Sequence, residues 1–293
     1  MNVVLLEARR PPEQRALQDE MVRVWSQLEA MDAESARRVL TAMADMRREI
    51  LDRLTQLPTV AVGEQETFAS TALQTFTAEL EEITRRFEQR YSASLGDDMR
   101  AVAALSDEAH RAALSQLARA LDVPPAIISF PVLGLDSVQM QAAALLNQGA
   151  IKGVSQATVQ VVNREVQRVV FGAQSRWEAV KNIRDALSTD DPRNLGALTT
   201  RALTIERTAL IQVFSIAQDH AYREALEELP DLRVTWLSAR DRRVDPKCVA
   251  MDGKTKHPRG TFPGGVIAPP LHPRCRCRMI PNLPGWPPMR GLS

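Results

Sequence analysis

The sequence predicts a mainly α protein, with a long-helix N-terminal body and a small, loop-rich α+β C-terminal domain. Three observations carry this. Aromatic residues make up 4% of the chain against 44% hydrophobic residues, and abundant Ala, Leu, Arg, Glu and Gln favour helices over a β-sandwich. Apolar residues recur every three or four positions over long stretches before Pro230. After Pro230 that period gives way to alternation, and proline becomes dense.

At 293 residues the chain has room for more than one domain. Residues 13–57 read as the first helix. Its apolar positions Leu28, Met31, Val39, Met43, Met46, Ile50, Leu54 and Leu57 step mostly by three or four, with Arg37, Arg38, Arg47, Arg48 and Glu49 between them. Pro58 and Gly63 in "LPTVAVG" end it. A second helix is expected over 65–92, where Leu73, Phe76, Leu80, Ile83 and Phe87 form a short coiled-coil-like seam. "SLGDD" at 94–98 reads as a stop and a new N-cap, and a third helix follows to about Leu121. Sequential helices with short connections make residues 1–122 an antiparallel bundle or hairpin.

"DVPPAIISFPVLG", residues 122–134, is the clearest internal break. Residues 123–229 then form a second helical region, in which Gly149, Gly153 and Gly172 punctuate Ala- and Val-rich segments. A turn around Asp190–Pro192 precedes a final helix from about Leu195 to Leu229. There Leu198, Ala202, Ile205, Ala209, Val213, Ile216 and Tyr222 keep roughly helical spacing. Residues 230–285 are the small α+β unit. Leu232, Val234 and Trp236 alternate as in a strand, while "MDGK" and "FPGG" signal turns. Residues 286–293 read as an irregular tail.

Lys and Arg number 37 against 36 Asp and Glu, a formal net charge of +1. Bulk charge therefore gives no reason to expect a nucleic-acid binder, and any such role must rest on local patches. The start, "MNVVLLEARRPPEQ", has an apolar run of only four residues followed by its arginines, unlike a secretory signal. No stretch approaches the ~18 apolar residues of a membrane span. Three cysteines cannot all pair within one chain, so a soluble protein made in a reducing compartment is expected.

All three cysteines and two of the four histidines fall between 248 and 277. In "PPLHPRCRCRMIP", residues 269–281, an extended backbone would put the Cys275 and Cys277 sulfurs on one face and Arg274, Arg276 and Arg278 on the other. Cys248, His272, Cys275 and Cys277 offer a tetrahedral zinc set, with His257 as the alternative ligand, although the spacing is not that of a standard finger. The competing reading takes the cysteines as small, half-buried apolar residues. The arginines open a second pair of readings. Arg243, Arg274, Arg276 and Arg278 could contact DNA phosphates, or the interleaved Arg and Asp of "ARDRRVD" could form local ion pairs. A nuclease-like site from Asp245, His257, His272 and Cys275 can be drawn, but no spacing specifies acid–base geometry and no enzyme is expected. His110 and His220 read as ordinary helix residues.

The order of these features resembles the C-terminal domain of the phage Mu F-like minor head proteins, also called phage head morphogenesis proteins. It rests on Trp236 in a strand, then Arg240, Asp241, Arg243, Val244, Cys248, Asp252 and Gly253, and the closing Pro269, Pro270, His272, Pro273, Cys275, Arg276 and Cys277. The resemblance covers about 195–282 and includes an Arg-Thr pair, Arg207 and Thr208, in the preceding helix. The chain departs from the family pattern at Glu206, where the family has Ala, at Ala209, where it is acidic, and at Cys248, where it is often His. The resemblance implies a virion protein in few copies, in the head interior or at the portal vertex, made in the host cytoplasm and tied to genome packaging or delivery. Its implied partners are the portal protein, the major capsid or scaffolding protein, further copies of itself and genomic DNA, with no membrane. A metal-dependent nuclease is the remaining alternative.

Overall fold

Helix α1 runs from Pro12 to Gln56 in the computed structural model, which describes residues 11–62, 65–123, 137–191 and 193–287. Its apolar stripe is buried at Leu17, Met21, Val24 and Leu28 and again at Val39, Met43, Met46, Ile50 and Leu54, with Met31 half-buried between the two runs. Spacing by three and four keeps one face inward for the whole length. Proline at the helix start is tolerated because an N–H there would have no partner.

Strands β1 (Thr59–Val62) and β2 (Gln65–Phe68) form an antiparallel hairpin, with Thr59 opposite Phe68 and Val62 opposite Gln65. A helix was expected to begin at 65; it begins at Ser70. The β-branched Thr59, Val60 and Thr67 favour the pleated form, and Phe68 buries at the strand end.

Helix α2 (Ser70–Ala120) is one helix where two were expected, because "SLGDD" does not stop it. Tyr91, Leu95, Met99 and Val102 are all buried and continue the helical stripe across Gly96. Their packing outweighs the ~1 kcal/mol that a glycine costs inside a helix. The expected break at 122–134 falls almost wholly outside the described residues.

Helices α3 (Val138–Val170), α4 (Arg176–Ala186) and α5 (Ala197–Glu224) follow. Before α5 the chain passes so close to the end of α4 that a Cβ on Gly196 would meet the Ala186 carbonyl oxygen at 2.4 Å. Only glycine fits there. Helix α5 ends at Glu224, earlier than expected, and turns carry the chain to Pro230.

The expected small α+β region is present. Strand β3 (Arg233–Leu237) is central in an antiparallel sheet of order β4-β3-β5, with β4 at Thr255–Lys256 and β5 at Arg278–Asn282. Short helix α6 (Pro246–Met251) lies between β3 and β4. Gly253 takes a φ of 74°, the left-handed conformation that the tight Asp252-Gly253 turn requires.

The chain forms two compact units, and each draws on separated stretches. One comprises Met1–Asp32, Asp98–Ala143 and Arg207–Ser293. Its core includes Trp25, Leu28, Leu117, Phe214, Tyr222, Trp236 and Phe262. Trp236 and Phe262 meet edge to face at 5.2 Å. The other comprises Ala33–Asp97 and Ala144–Glu206, with Met43, Ile50, Phe76, Phe87, Ile151, Val162 and Ile183 inside. There the buried Tyr91 hydroxyl donates to the Ala202 carbonyl at 2.7 Å, and the Ser35 hydroxyl donates to the buried Glu206 carboxylate.

Candidate metal centre and the arginines around it

Asp245 starts the site. Its carboxylate accepts the Lys247 N–H at 2.8 Å, capping α6, and Pro246 occupies the first turn. The six-residue helix so fixed puts Cys248 on its buried side.

The other donors come from the turn that enters β5. The Cys275 N–H donates to the His272 carbonyl at 3.1 Å, and Arg274 adopts a φ of 60°. The Arg274 N–H donates to the Thr208 hydroxyl on α5 at 3.1 Å, which ties the turn to that helix. Two residues later Cys277 leads directly into the β3–β5 ladder, where Leu237 lies opposite Arg278 and Trp236 opposite Met279.

Among the described residues, Cys248, Cys275 and Cys277 form a group whose sulfurs all lie within 4.8 Å of one another. All three are buried. The Cys248 and Cys275 sulfurs are 3.7 Å apart, and His272 Nε2 lies 3.1 Å from the Cys248 sulfur. Because a carbonyl can only accept, the 2.8 Å contact between His272 Nδ1 and the Pro273 carbonyl puts the imidazole proton on Nδ1. That leaves the Nε2 lone pair facing Cys248, as a ligand or as an acceptor of the thiol proton.

The sulfurs polarise one another. A hydrogen bond from the Cys277 thiol draws Cys275 down to about 5, while Cys277, the donor to that thiolate, is pushed up. Burial raises Cys248 to about 11. A thiolate is the form of cysteine that binds metal, so Cys275 is already favoured as a ligand, while Cys248 and Cys277 would have to give up a proton to a bound metal. Three buried cysteines this close can hold a metal ion. His257, the alternative ligand, is exposed, and its Nδ1 instead accepts the Arg259 N–H of its own turn.

The arginines that alternate with the sulfurs separate into two kinds. Arg276 makes a two-pronged ion pair with Asp241, with Nη2 at 2.6 Å from Oδ1. That bond, with a second from the Arg243 N–H, holds the Asp241 carboxyl well below the ordinary carboxylate range. Arg278 is mostly buried. Its Nη2 donates to Glu29 at 2.6 Å, and its guanidinium sits 4.8 Å over the Trp25 ring. Arg243 and Arg274 face solvent, and the Arg243 side chain is 83% exposed. The backbone is not extended at Arg274, which sits in a turn, and three of the four arginines expected to meet phosphate have carboxylate partners: Arg276 and Arg243 at Asp241, the latter at 3.8 Å, and Arg278 at Glu29.

Several contributors were not singled out as site residues in the sequence: Thr208, Asp241, Asp252, Glu29 and Trp25. Asp252 accepts from both the Ser238 N–H and Arg240 Nε, at 2.9 Å each, which braces the chain leaving β3. The Arg-Thr pair of α5 now has a structural part. Arg207 binds Asp32 at 2.6 Å and Thr208 holds the cysteine turn. Arg207, Thr208, Asp241 and Asp252 were visible as motif positions; Glu29 and Trp25 had no local signal.

Residues 159–280 match a family model described as Phage Mu protein F like protein. The motif resemblance is borne out over that stretch, which contains the whole cluster. No curated protein and no solved structure matches the chain.

Proposed function

We propose that this chain is a minor head protein of a tailed phage, acting in head morphogenesis at the portal or in the head interior, with a structural zinc centre in its C-terminal region. One observation carries the reading: Cys248, Cys275 and Cys277 converge, with His272 against Cys248, inside the segment that matches the phage Mu F-like family. Zinc–sulfur bonds of about 2.3 Å at tetrahedral angles place neighbouring sulfurs about 3.8 Å apart. The Cys248–Cys275 separation of 3.7 Å suits that geometry. Once bound, zinc would supply a cross-link between α6 and the turn entering β5.

The role is structural. Arg240, Arg276 and Arg278 hold Asp252, Asp241 and Glu29, which stiffens the region. The partners are the portal protein and the major capsid or scaffolding protein, and further copies of the chain are compatible with the same role. Co-sedimentation with purified portal oligomers and with procapsids tests this, together with localisation in the intact particle. Failure to bind either particle removes the reading's main support. DNA cleavage with added zinc, magnesium or manganese would overturn its non-enzymatic part.

A second reading, contact with the packaged genome, is favoured by the exposure of Arg243 and Arg274. It gives those two residues the phosphate contacts and leaves Arg276 and Arg278 as braces. Salt-dependent DNA binding that survives replacement of Arg243 and Arg274 together would defeat it.

A further inference from the structure

The turn between α3 and α4 holds two aromatic rings in water on a rigid frame. Phe171 is 82% exposed and Trp177 76% exposed, while Trp25 and Trp236 elsewhere in the chain are buried. Val170 beside them is also exposed.

The frame is built around Glu165, whose side chain is almost fully buried. Its carboxylate accepts from Asn182 at 2.8 Å and Gln174 at 3.0 Å, and the same Gln174 amide donates to the Glu165 carbonyl at 2.9 Å. One side chain of α3 thus grips both the turn and α4. A capping box completes the start of α4. The Ser175 hydroxyl accepts the Glu178 N–H, and the Glu178 carboxylate accepts the Ser175 N–H at 2.7 Å. Ala179, Val180 and Ile183 bury the inner face of α4. Trp177, between cap and capping Glu, faces out.

None of this frame needs exposed rings. The Glu165 network and the capping box fix the backbone that carries Phe171 and Trp177, so binding need not order that turn. Around them, residues 164–185 carry five Lys or Arg and three Asp or Glu, and one of those acids is the buried Glu165. An exposed Trp and Phe on a segment that also carries Arg176 and Arg184 have the composition of a protein–protein hot spot. Its charge disfavours pairing with a second copy of itself. Arg164 and Arg168 are drawn onto Glu165, which leaves Arg176, Lys181 and Arg184 against Glu178 and Asp185, too small a cationic excess to hold a lipid or nucleic-acid surface by charge.

We infer that the α3–α4 corner docks into a protein surface that offers an apolar pocket rimmed with carboxylates. This rests on the head-protein reading, which supplies the probes: portal oligomers and procapsids. The test measures their co-sedimentation with the intact chain and with Phe171→Ser/Trp177→Ser and Lys181→Glu/Arg184→Glu variants. Circular dichroism and melting check that the fold is kept. The aromatic variant is expected to bind at least about tenfold more weakly at unchanged helicity. The charge-reversed variant is expected to bind more weakly, with a flatter salt dependence. Wild-type affinity in the aromatic variant overturns the corner and leaves the head-protein reading standing. No binding by the wild-type chain overturns both. Parallel arms use phosphatidylglycerol vesicles and oligo-dT. Aromatic-dependent binding to either of them, in place of the particles, overturns the protein partner.

Discussion

Lys256 Nζ donates to Asp219 Oδ1 across 2.6 Å with the lysine side chain wholly sealed from water, and this pair fastens edge strand β4 to α5. Arg223 takes the other carboxylate oxygen at 2.6 Å, and Phe262 presents its ring 5.4 Å from the ammonium. Removing one member of a buried pair strands the other. Lys256→Met is expected to cost about 3–5 kcal/mol in urea unfolding. The Lys256→Met/Asp219→Leu double variant should recover much of that loss. If the single variant unfolds at the wild-type midpoint, the pair holds nothing together.

Metal binding has a composition as well as an affinity. Elemental analysis should find one zinc per chain, lost in Cys275→Ser/Cys277→Ser. His272→Ala should weaken retention, whereas His257→Ala should leave it unchanged, because His257 serves its own turn. A chelator should lower the melting temperature of the wild-type protein and have no effect on the double-serine variant. Equal zinc content in His272→Ala and wild type would remove the fourth ligand.

Acid stability should depend on His110. The Ser106 hydroxyl donates to the Phe214 carbonyl at 3.1 Å, so the 3.1 Å contact between Ser106 Oγ and His110 Nδ1 is donated by the ring. Nε2 is buried among Phe214 and Tyr222, whose rings lie 5.6 and 5.2 Å away. Burial drives the imidazole down to about 3. The unfolded chain takes up this proton near pH 6.5 and the native chain does not, so stability is full above about 6.5 and declines as pH falls toward 3. The slope from this one group is at most about 1.4 kcal/mol per pH unit. A His110→Phe variant should lose that dependence, which urea midpoints at pH 4, 5 and 7 would show.

The arginines divide by partner. Arg278→Ala removes a bond to Glu29 and the cover over Trp25, with an expected loss of about 1–3 kcal/mol. Arg243→Gln, at a solvent-facing position, should change stability by no more than about 0.5 kcal/mol. Thermal melts of both variants decide this, and a silent Arg278→Ala would return that residue to the list of phosphate contacts.

The helical stripe of α1, the strand alternation around Trp236 and the cysteine cluster were all legible, since each is encoded within a short window. Gly96 misled because a local stop signal competes with packing partners that the window does not contain. Gln65–Phe68 misled because four residues are too few to show a period. That His272 lies against Cys248 while His257 accepts from its own turn depends on the fold of each turn, which no local window contains. The pairing of Arg276 with Asp241 spans 35 residues and that of Arg278 with Glu29 spans 249, beyond any local pattern. The Glu165 network had no signal either, since a lone Glu on a helix reads as solvated until Gln174 and Asn182 fold onto it.

Assembly of each compact unit from separated stretches of chain bears on how such a protein can be inherited and dissected. The segment matching the phage Mu F-like family, 159–280, begins inside one unit and ends inside the other. It is not a cassette. A fragment starting near residue 195 would carry every candidate metal ligand yet lack the α1 turn bearing Trp25 and Glu29, leaving Arg278 with neither ring nor carboxylate. Recombination or truncation at the edge of the recognisable motif would therefore yield a domain missing part of its own wall, and functional exchange between relatives should succeed only when α1 travels with the cysteines.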